Sequence, residues 1–257
     1  MSEHPPAIPA ATLVLFRERP GQPPEHLMIE RAGNLSFAAG ALVFPGGRID
    51  DEDLALARDD ALLIDRPADD DDAAARITAI RETIEETGVA VAVSPLPDTA
   101  TIAAWRAALA AGERFADLLR RAGARLDLAQ LVPFARWHPR LKGHKLFDTR
   151  FYLARVNDDC VAEVDGGEAT RHLWLAARDV LAGADAGEYR IIFPTRRNLE
   201  RLAAHGGFDA VVAHAHATGL RIITPWVQRI DDSEWLCIPE DAGYPVTRER
   251  LEQAMRG

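Results

Sequence analysis

Apolar and polar positions fall into blocks that predict strands towards both ends of the chain and one strongly two-faced helix between them. Residues 11–16 (Ala-Thr-Leu-Val-Leu-Phe) are a short continuous apolar run, the signature of a buried strand. The Pro-rich stretch 20–24 reads as a turn, and 26–30 as the hairpin partner. Residues 36–44 lead as loop and short strand into a turn at Pro45-Gly46-Gly47. An acidic connector covers 50–72, with helix expected over 53–63. A helix follows over 73–87, then a strand over 89–93. Helical spacing over 101–111 and 113–122 predicts a two-helix insertion. Strands are expected over 131–137 and 145–156 around a basic loop, and again over 171–175, before a turn and helix at 176–181. Pro194 suits a helix N-terminus and starts a helix over 194–204 with Leu199 and Leu202 inward. Strands over 220–224 and 235–238 and a helix over 247–255 close the chain. No internal repeat, heptad array or low-complexity linker appears, so one domain is expected.

The helix over 73–87 carries the candidate chemistry. At about 100° per residue, Ile77, Ile80 and Ile84 cluster on one side, while Glu82, Glu85 and Glu86 stack on the other. Carboxylates at that spacing repel by roughly 1 kcal/mol per pair in water, and by more as the site dries. Hard divalent cations take oxygen ligands and relieve the repulsion. Gly88 accepts the left-handed conformation that ends a helix. Arg81 can reach Glu85 one turn on and hold its rotamer. A solvated acidic face would share the glutamate pattern, but not the flanking Arg81, Gly88 and Pro-Gly-Gly segment.

Composition narrows the class. The 257 residues are 47% hydrophobic and 27% charged, as in ordinary globular proteins. A net charge of −10 argues against nucleic acid as partner, since phosphate backbones need a basic footprint. A small anionic substrate is compatible if a metal bridges it to the carboxylates. No apolar run approaches the ~18–20 residues of a membrane span, so no membrane partner is expected. Residues 1–10 lack a basic segment followed by an apolar one, and no secretory signal is read there. Cys160 and Cys237 suit a reducing cytoplasm.

The string Arg81-Glu82-Thr83-Ile84-Glu85-Glu86-Thr87-Gly88-Val89 resembles the second half of the Nudix box: Gly, five residues, Glu, seven residues, then Arg-Glu-apolar-any-Glu-Glu-any-Gly-apolar. Thr83 replaces the usual apolar residue. Counted back from Arg81, the box's first glutamate falls on Ala73 and its glycine on Pro67. If Gly47 is the box glycine, it lies 34 residues before Arg81 instead of 14, so about 20 residues are inserted. Asp50, Asp51, Glu52, Asp53 and Asp72 all remain candidates to replace the missing glutamate. Further segments resemble a long-insertion Nudix group that includes the peroxisomal acyl-coenzyme A diphosphatases. They are Met28-Ile29-Glu30-Arg31, Val43-Phe44-Pro45-Gly46-Gly47, Phe134-Ala135-Arg136-Trp137, Phe147-Asp148-Thr149-Arg150-Phe151-Tyr152, Glu168 with Trp174, and Phe193-Pro194-Thr195.

The resemblance implies a Nudix α/β/α sandwich with a curved mixed sheet, an acidic insertion around 50–72 and a helical insertion around 101–125, the latter a lobe able to cover the site. It implies hydrolysis of a phosphoanhydride in a small nucleotide-type molecule, with Mg²⁺ or Mn²⁺ held by Glu82, Glu85 and Glu86 and with Arg81 as their ion-pair partner. Coenzyme A or an acyl derivative is the first choice, cleaved to 3′,5′-ADP and (acyl-)phosphopantetheine. ADP-ribose, NADH or a dinucleoside polyphosphate would use the same helix. Glu82 and Glu168 are both candidates for the general base. Arg31 and Arg48, which flank the predicted turn, and Gly46 and Gly47 within it are candidate substrate contacts. Arg140, Lys142 and Lys145 lie in the most basic stretch, a loop suited either to a phosphate or to plain solvation. Phe37, Trp137, Phe147 and Phe151 suit base stacking or the core. A homodimer is compatible with the chain. The alternative of another class is a Nudix-fold binding module that lost catalysis, for which Ala73 is the argument.

Overall fold

The computed structural model describes residues 7–32, 38–139, 146–162 and 169–255. Strands β1 (Ile8–Arg17), β2 (Glu25–Arg31), β3 (Leu42–Val43) and β4 (Gly46–Arg48) come first. Helix α1 (Asp51–Leu56), β5 (Leu63–Ile64) and the long α2 (Asp70–Thr87) follow. Next are β6 (Val93–Ser94), α3 (Thr99–Ala110), α4 (Phe115–Ala122), β7 (Arg125–Asp127), β8 (Val132–Trp137), β9 (Phe147–Val156) and β10 (Ala169–Ala176). Helices α5 (Ala177–Asp185), α6 (Phe193–Ala203) and α7 (Phe208–Thr218) precede β11 (Ile222–Ile223), β12 (Trp226–Ile230), β13 (Ser233–Cys237), β14 (Arg248–Arg250) and α8 (Leu251–Ala254).

The main sheet is mixed and runs β10-β2-β1-β9-β8-β11, with β3 beside β2 and β4 beside β1. Its centre is the parallel pair β1–β9, in register from Ile8↔Phe147 to Arg17↔Val156. Period-2 alternation sorts the side chains of these strands between two cores. Ala11, Leu13, Leu15, Tyr152 and Ala154 face one side, where Ile77, Ile80 and Ile84 of α2 bury completely. Val14, Phe16 and Leu153 face the other, against Val180, Leu199 and Leu202 of α5 and α6. The result is helix, sheet, helix: an α/β/α sandwich. The α3–α4 pair sits beside α2, joined to the first core by Trp105, Phe115 and Leu119. Among the described residues no helix is long and apolar enough to cross a membrane.

Several local expectations are corrected. Gly46–Arg48 is a strand, not a turn: Ala10, Ala11 and Thr12 pair with Arg48, Gly47 and Gly46. The expected strand over 89–93 shrinks to Val93–Ser94, because Ala92 has φ +59° and breaks the extended run. The helix expected over 53–63 splits into α1 and a 3-10 turn at Asp60–Leu62. The glutamate helix begins at Asp70, three residues early, because the Asp69 side chain accepts from the Asp71 N–H and caps it. At the C-terminus α7 and β12 are additional, and 247–255 is β14 followed by the short α8.

Candidate active site

The β1–β4 ladder brings the glycine pair against the glutamate helix. A Cβ on Gly46 would stand 2.3 Å from the Ala11 carbonyl oxygen, and one on Gly47 2.3 Å from Cδ of Glu82. At Gly46 only glycine fits against the β1 backbone, and at Gly47 a side chain would displace the Glu82 carboxylate. The Gly46 N–H donates to Oε2 of Glu86 at 2.9 Å, tying β4 to α2 across 40 residues. Glu82, Glu85 and Glu86 all line one cleft of about 760 Å³. Its other end is apolar and aromatic, with Phe44, Phe147, Phe151, Ile192 and Pro194.

Arg81 lies among the carboxylates. Its Nη1 donates to Oε1 of Glu82 and of Glu85, both at 2.8 Å. Its Nε and Nη2 donate to the two oxygens of Asp53 at 3.0 and 2.8 Å, a two-pronged pair. Asp53 is 2% exposed and also accepts from Thr78 Oγ1 at 2.8 Å and from the Asp50 N–H at 3.1 Å. Burial alone would lower the Arg81 pKa, but Asp53, Glu82 and Glu85 outweigh it and hold the guanidinium charged.

The chain segment 57–202 matches a family model described as the NUDT19 Nudix domain, over more than half of the sequence. The chain belongs to the NUDT19 Nudix domain family. The protein named putative nudix hydrolase 7 of Caenorhabditis elegans is similar to it at 23% identity over 230 residues, 90% of this chain and 72% of that one. A crystal structure of a NUDIX hydrolase from Alicyclobacillus acidocaldarius is 31% identical, covers 81% of this chain and 96% of its own, and superposes with a TM-score of 0.67. The chain is thus a Nudix pyrophosphohydrolase, of a family that acts on small nucleotides and needs a divalent metal.

With the Nudix box in view, Asp53 is the residue that sequence reasoning left among five. Counted forward from Gly47 instead of back from Arg81, five residues separate Gly47 from Asp53, the box spacing with Asp in place of Glu. The extra 20 residues then all fall between Asp53 and Arg81. Ala73 is no lost carboxylate position: it is fully buried in the first core. That removes the argument for a degenerate binding module. Asp72, another of the five, instead pairs with Arg76 at 2.8 Å and accepts from the Tyr152 hydroxyl at 2.7 Å. Arg31 and Arg48 line the cleft, Arg48 exposed at its rim. Phe147, Phe151 and Trp137 also line it, though Trp137, at 1% exposure, is mostly core. Phe37, Arg140, Lys142, Lys145 and Glu168 lie outside the described residues.

The carboxylates fit a hard divalent cation by donor chemistry, being three oxygen ligands on one cleft wall. Among the described residues no three His, Cys, Asp or Glu already stand as a metal cluster, and Arg81 pairs with both Glu82 and Glu85. Arg81 keeps Asp53 as partner if a cation takes its place at the glutamates.

Burial against the glycine strand pushes the Glu82 carboxyl up to about 7; Arg81 opposes this and Glu85 adds to it. An acid whose folded pKa exceeds its unfolded value costs nothing below the unfolded pKa. The penalty grows as pH rises between the two values and levels off above the folded one. Metal-free protein should therefore lose on the order of 2–3 kcal/mol between about pH 4.5 and 7 through Glu82. Glu82→Gln should remove that loss and raise the metal-free melting temperature at pH 8 by roughly 5 °C. Calorimetric scans in chelator at pH 5 and 8 test this; equal pH dependence of variant and wild type would refute it.

Proposed function

We propose that this Nudix hydrolase cleaves the diphosphate of coenzyme A or an acyl-coenzyme A, giving 3′,5′-ADP and (acyl-)phosphopantetheine, with Glu82, Glu85 and Glu86 holding Mg²⁺ or Mn²⁺. The observation that carries the reading is the convergence of the three glutamates on one cleft wall beside β4, with Arg81 anchored behind them on Asp53. Bound there, the cation supplies neutralisation of the diphosphate and activation of the attacking water.

The chain's own residues do the rest. Glu86 is fixed by the Gly46 N–H, while Arg81, anchored on Asp53, holds Glu82 and Glu85 on the same wall until a cation replaces it there. Glu82 and Glu168 are the candidates for taking the water's proton. Arg48 and Arg31 on the cleft walls are suited to the outer phosphate oxygens. The aromatic end suits a base or an apolar acyl-bearing arm. The coenzyme A choice draws its support from the NUDT19 match and from the ordered segments shared with the acyl-coenzyme A diphosphatase group.

Mass spectrometry of products after incubation with Mg²⁺ and a mixed panel tests it: coenzyme A, acetyl-coenzyme A, ADP-ribose, NADH and diadenosine polyphosphates. The expected products are 3′,5′-ADP and the phosphopantetheine partner. AMP from ADP-ribose or NADH in their place would discard the substrate while keeping the reaction class.

A further inference from the structure

Helix α3 lies outside the Nudix box, yet one of its side chains holds the box's last turn. The Nε of Arg106 donates to the main-chain carbonyl oxygen of Glu85 at 3.1 Å. The last carbonyls of a helix lack intrahelical donors and carry the negative end of its dipole. In α2 the Ile84 carbonyl is taken by the Gly88 N–H at 2.9 Å, and that of Glu85 by this cation.

To reach it, the guanidinium passes over Gly88. A Cβ on Gly88 would stand 3.3 Å from Cδ and 3.4 Å from Nη1 of Arg106, and Gly88 has φ +67°. The box's closing glycine thus serves two needs, the left-handed stop and the passage of Arg106. Arg106 pairs with no carboxylate among the described residues, and its Nη2 is enclosed without a hydrogen-bond partner. The contact with α2 is what the side chain achieves. Its helix is joined to the first core by the buried Trp105 and Leu109, and Ala110, one turn on, lines the cleft.

We propose that Arg106 is a positioning residue for the glutamates, fixing the main chain between Glu85 and Gly88 to the inserted helix and so setting where Glu85 and Glu86 stand relative to Glu82 and Gly46. The proposal rests on the reading of these glutamates as the cation's ligands. It makes cation affinity depend on a residue 20 positions beyond the box's last glutamate, in an inserted element. An ordinary helix cap would affect stability alone.

The test is Mn²⁺ binding to the full chain, followed by the paramagnetic resonance signal of the free ion, alongside melting in chelator. Arg106→Ala should weaken Mn²⁺ binding roughly tenfold, the scale on which ligand-orienting groups act on metal sites. The Mn²⁺ concentration for half-maximal turnover should rise by the same factor. Arg106→Lys, which keeps a charged donor, should recover most of the affinity. If the alanine protein does not fold, Arg106→Gln, a shorter uncharged donor, and Arg106→Lys carry the comparison. Unchanged Mn²⁺ affinity in Arg106→Ala or Arg106→Gln, with only a lower melting temperature, overturns the proposal. Glu86→Gln separates the two levels. If it loses Mn²⁺ while the Arg106 variants keep it, only the positioning role falls; if it keeps Mn²⁺, the ligand reading falls too.

Discussion

Replacing Glu86 with glutamine should lower turnover about 10³-fold while leaving the melting temperature of metal-free protein nearly unchanged. The amide oxygen of glutamine still accepts the Gly46 N–H that Oε2 of Glu86 receives at 2.9 Å, so the tie between β4 and α2 survives. What disappears is one of the three glutamate carboxylates on the cleft wall. Lewis-acid stabilisation by a bound cation contributes several kcal/mol to such reactions. Losing ~4 kcal/mol of it corresponds to about a thousandfold, at ~1.4 kcal/mol per decade. Initial rates at saturating Mg²⁺ measure this directly. A variant within tenfold of wild type would remove Glu86 from the metal site.

The second large effect is one of stability. Asp53→Ala strips a buried carboxylate from Arg81, from Thr78 and from the first turn of α1 at once. Breaking one side of a buried pair costs about 3–5 kcal/mol, because the remaining charge stays desolvated. For a chain of this size that is a fall of roughly 10 °C in melting temperature. Activity should fall as well, since Arg81 would then lean on Glu82 and Glu85, the groups a cation needs, with Asp50 at 3.4 Å as its remaining carboxylate. Thermal unfolding of Asp53→Ala and Asp53→Asn checks the argument. A loss under about 2 °C in both would show that the Arg81–Asp53 pair is not a fixed point of the site.

The glutamate helix was legible because its period, its glycine stop and its basic neighbour all agree locally. Ile77, Ile80 and Ile84 are wholly buried, as their spacing predicts. The sandwich was legible for a similar reason, from apolar runs that are strands on both faces. What escaped depends on partners far along the chain. Gly46–Arg48 carries Gly-Gly after proline and reads as a turn, yet pairing with β1 makes it a strand, since sheet formation answers to context more than to propensity. Asp53 and Arg81 meet across 28 residues, which no helical or strand period reports; counting five residues forward from Gly47 was the one available signal. Helix α7 buries only Val211 and Ala215, too thin a stripe to announce itself. Strand β12 is exposed almost throughout and, among the described residues, pairs only with β13, so it lacks the alternation by which strands are found.

The order in which the sheet is threaded bears on how the chain is made. Its central pair joins residues 8–17 to residues 147–156, so β1 must wait for a strand synthesised some 140 residues later. At about 5–20 residues per second that is a delay of roughly 7–30 s. During it β1 has β2 and β4 on one edge, while its other edge, with apolar side chains on both faces, is open. Unpaired apolar edges are where nascent chains stick to one another. Production of this enzyme should therefore respond to translation speed and to chaperone supply more than its finished sheet, with β1 paired on both edges, would suggest.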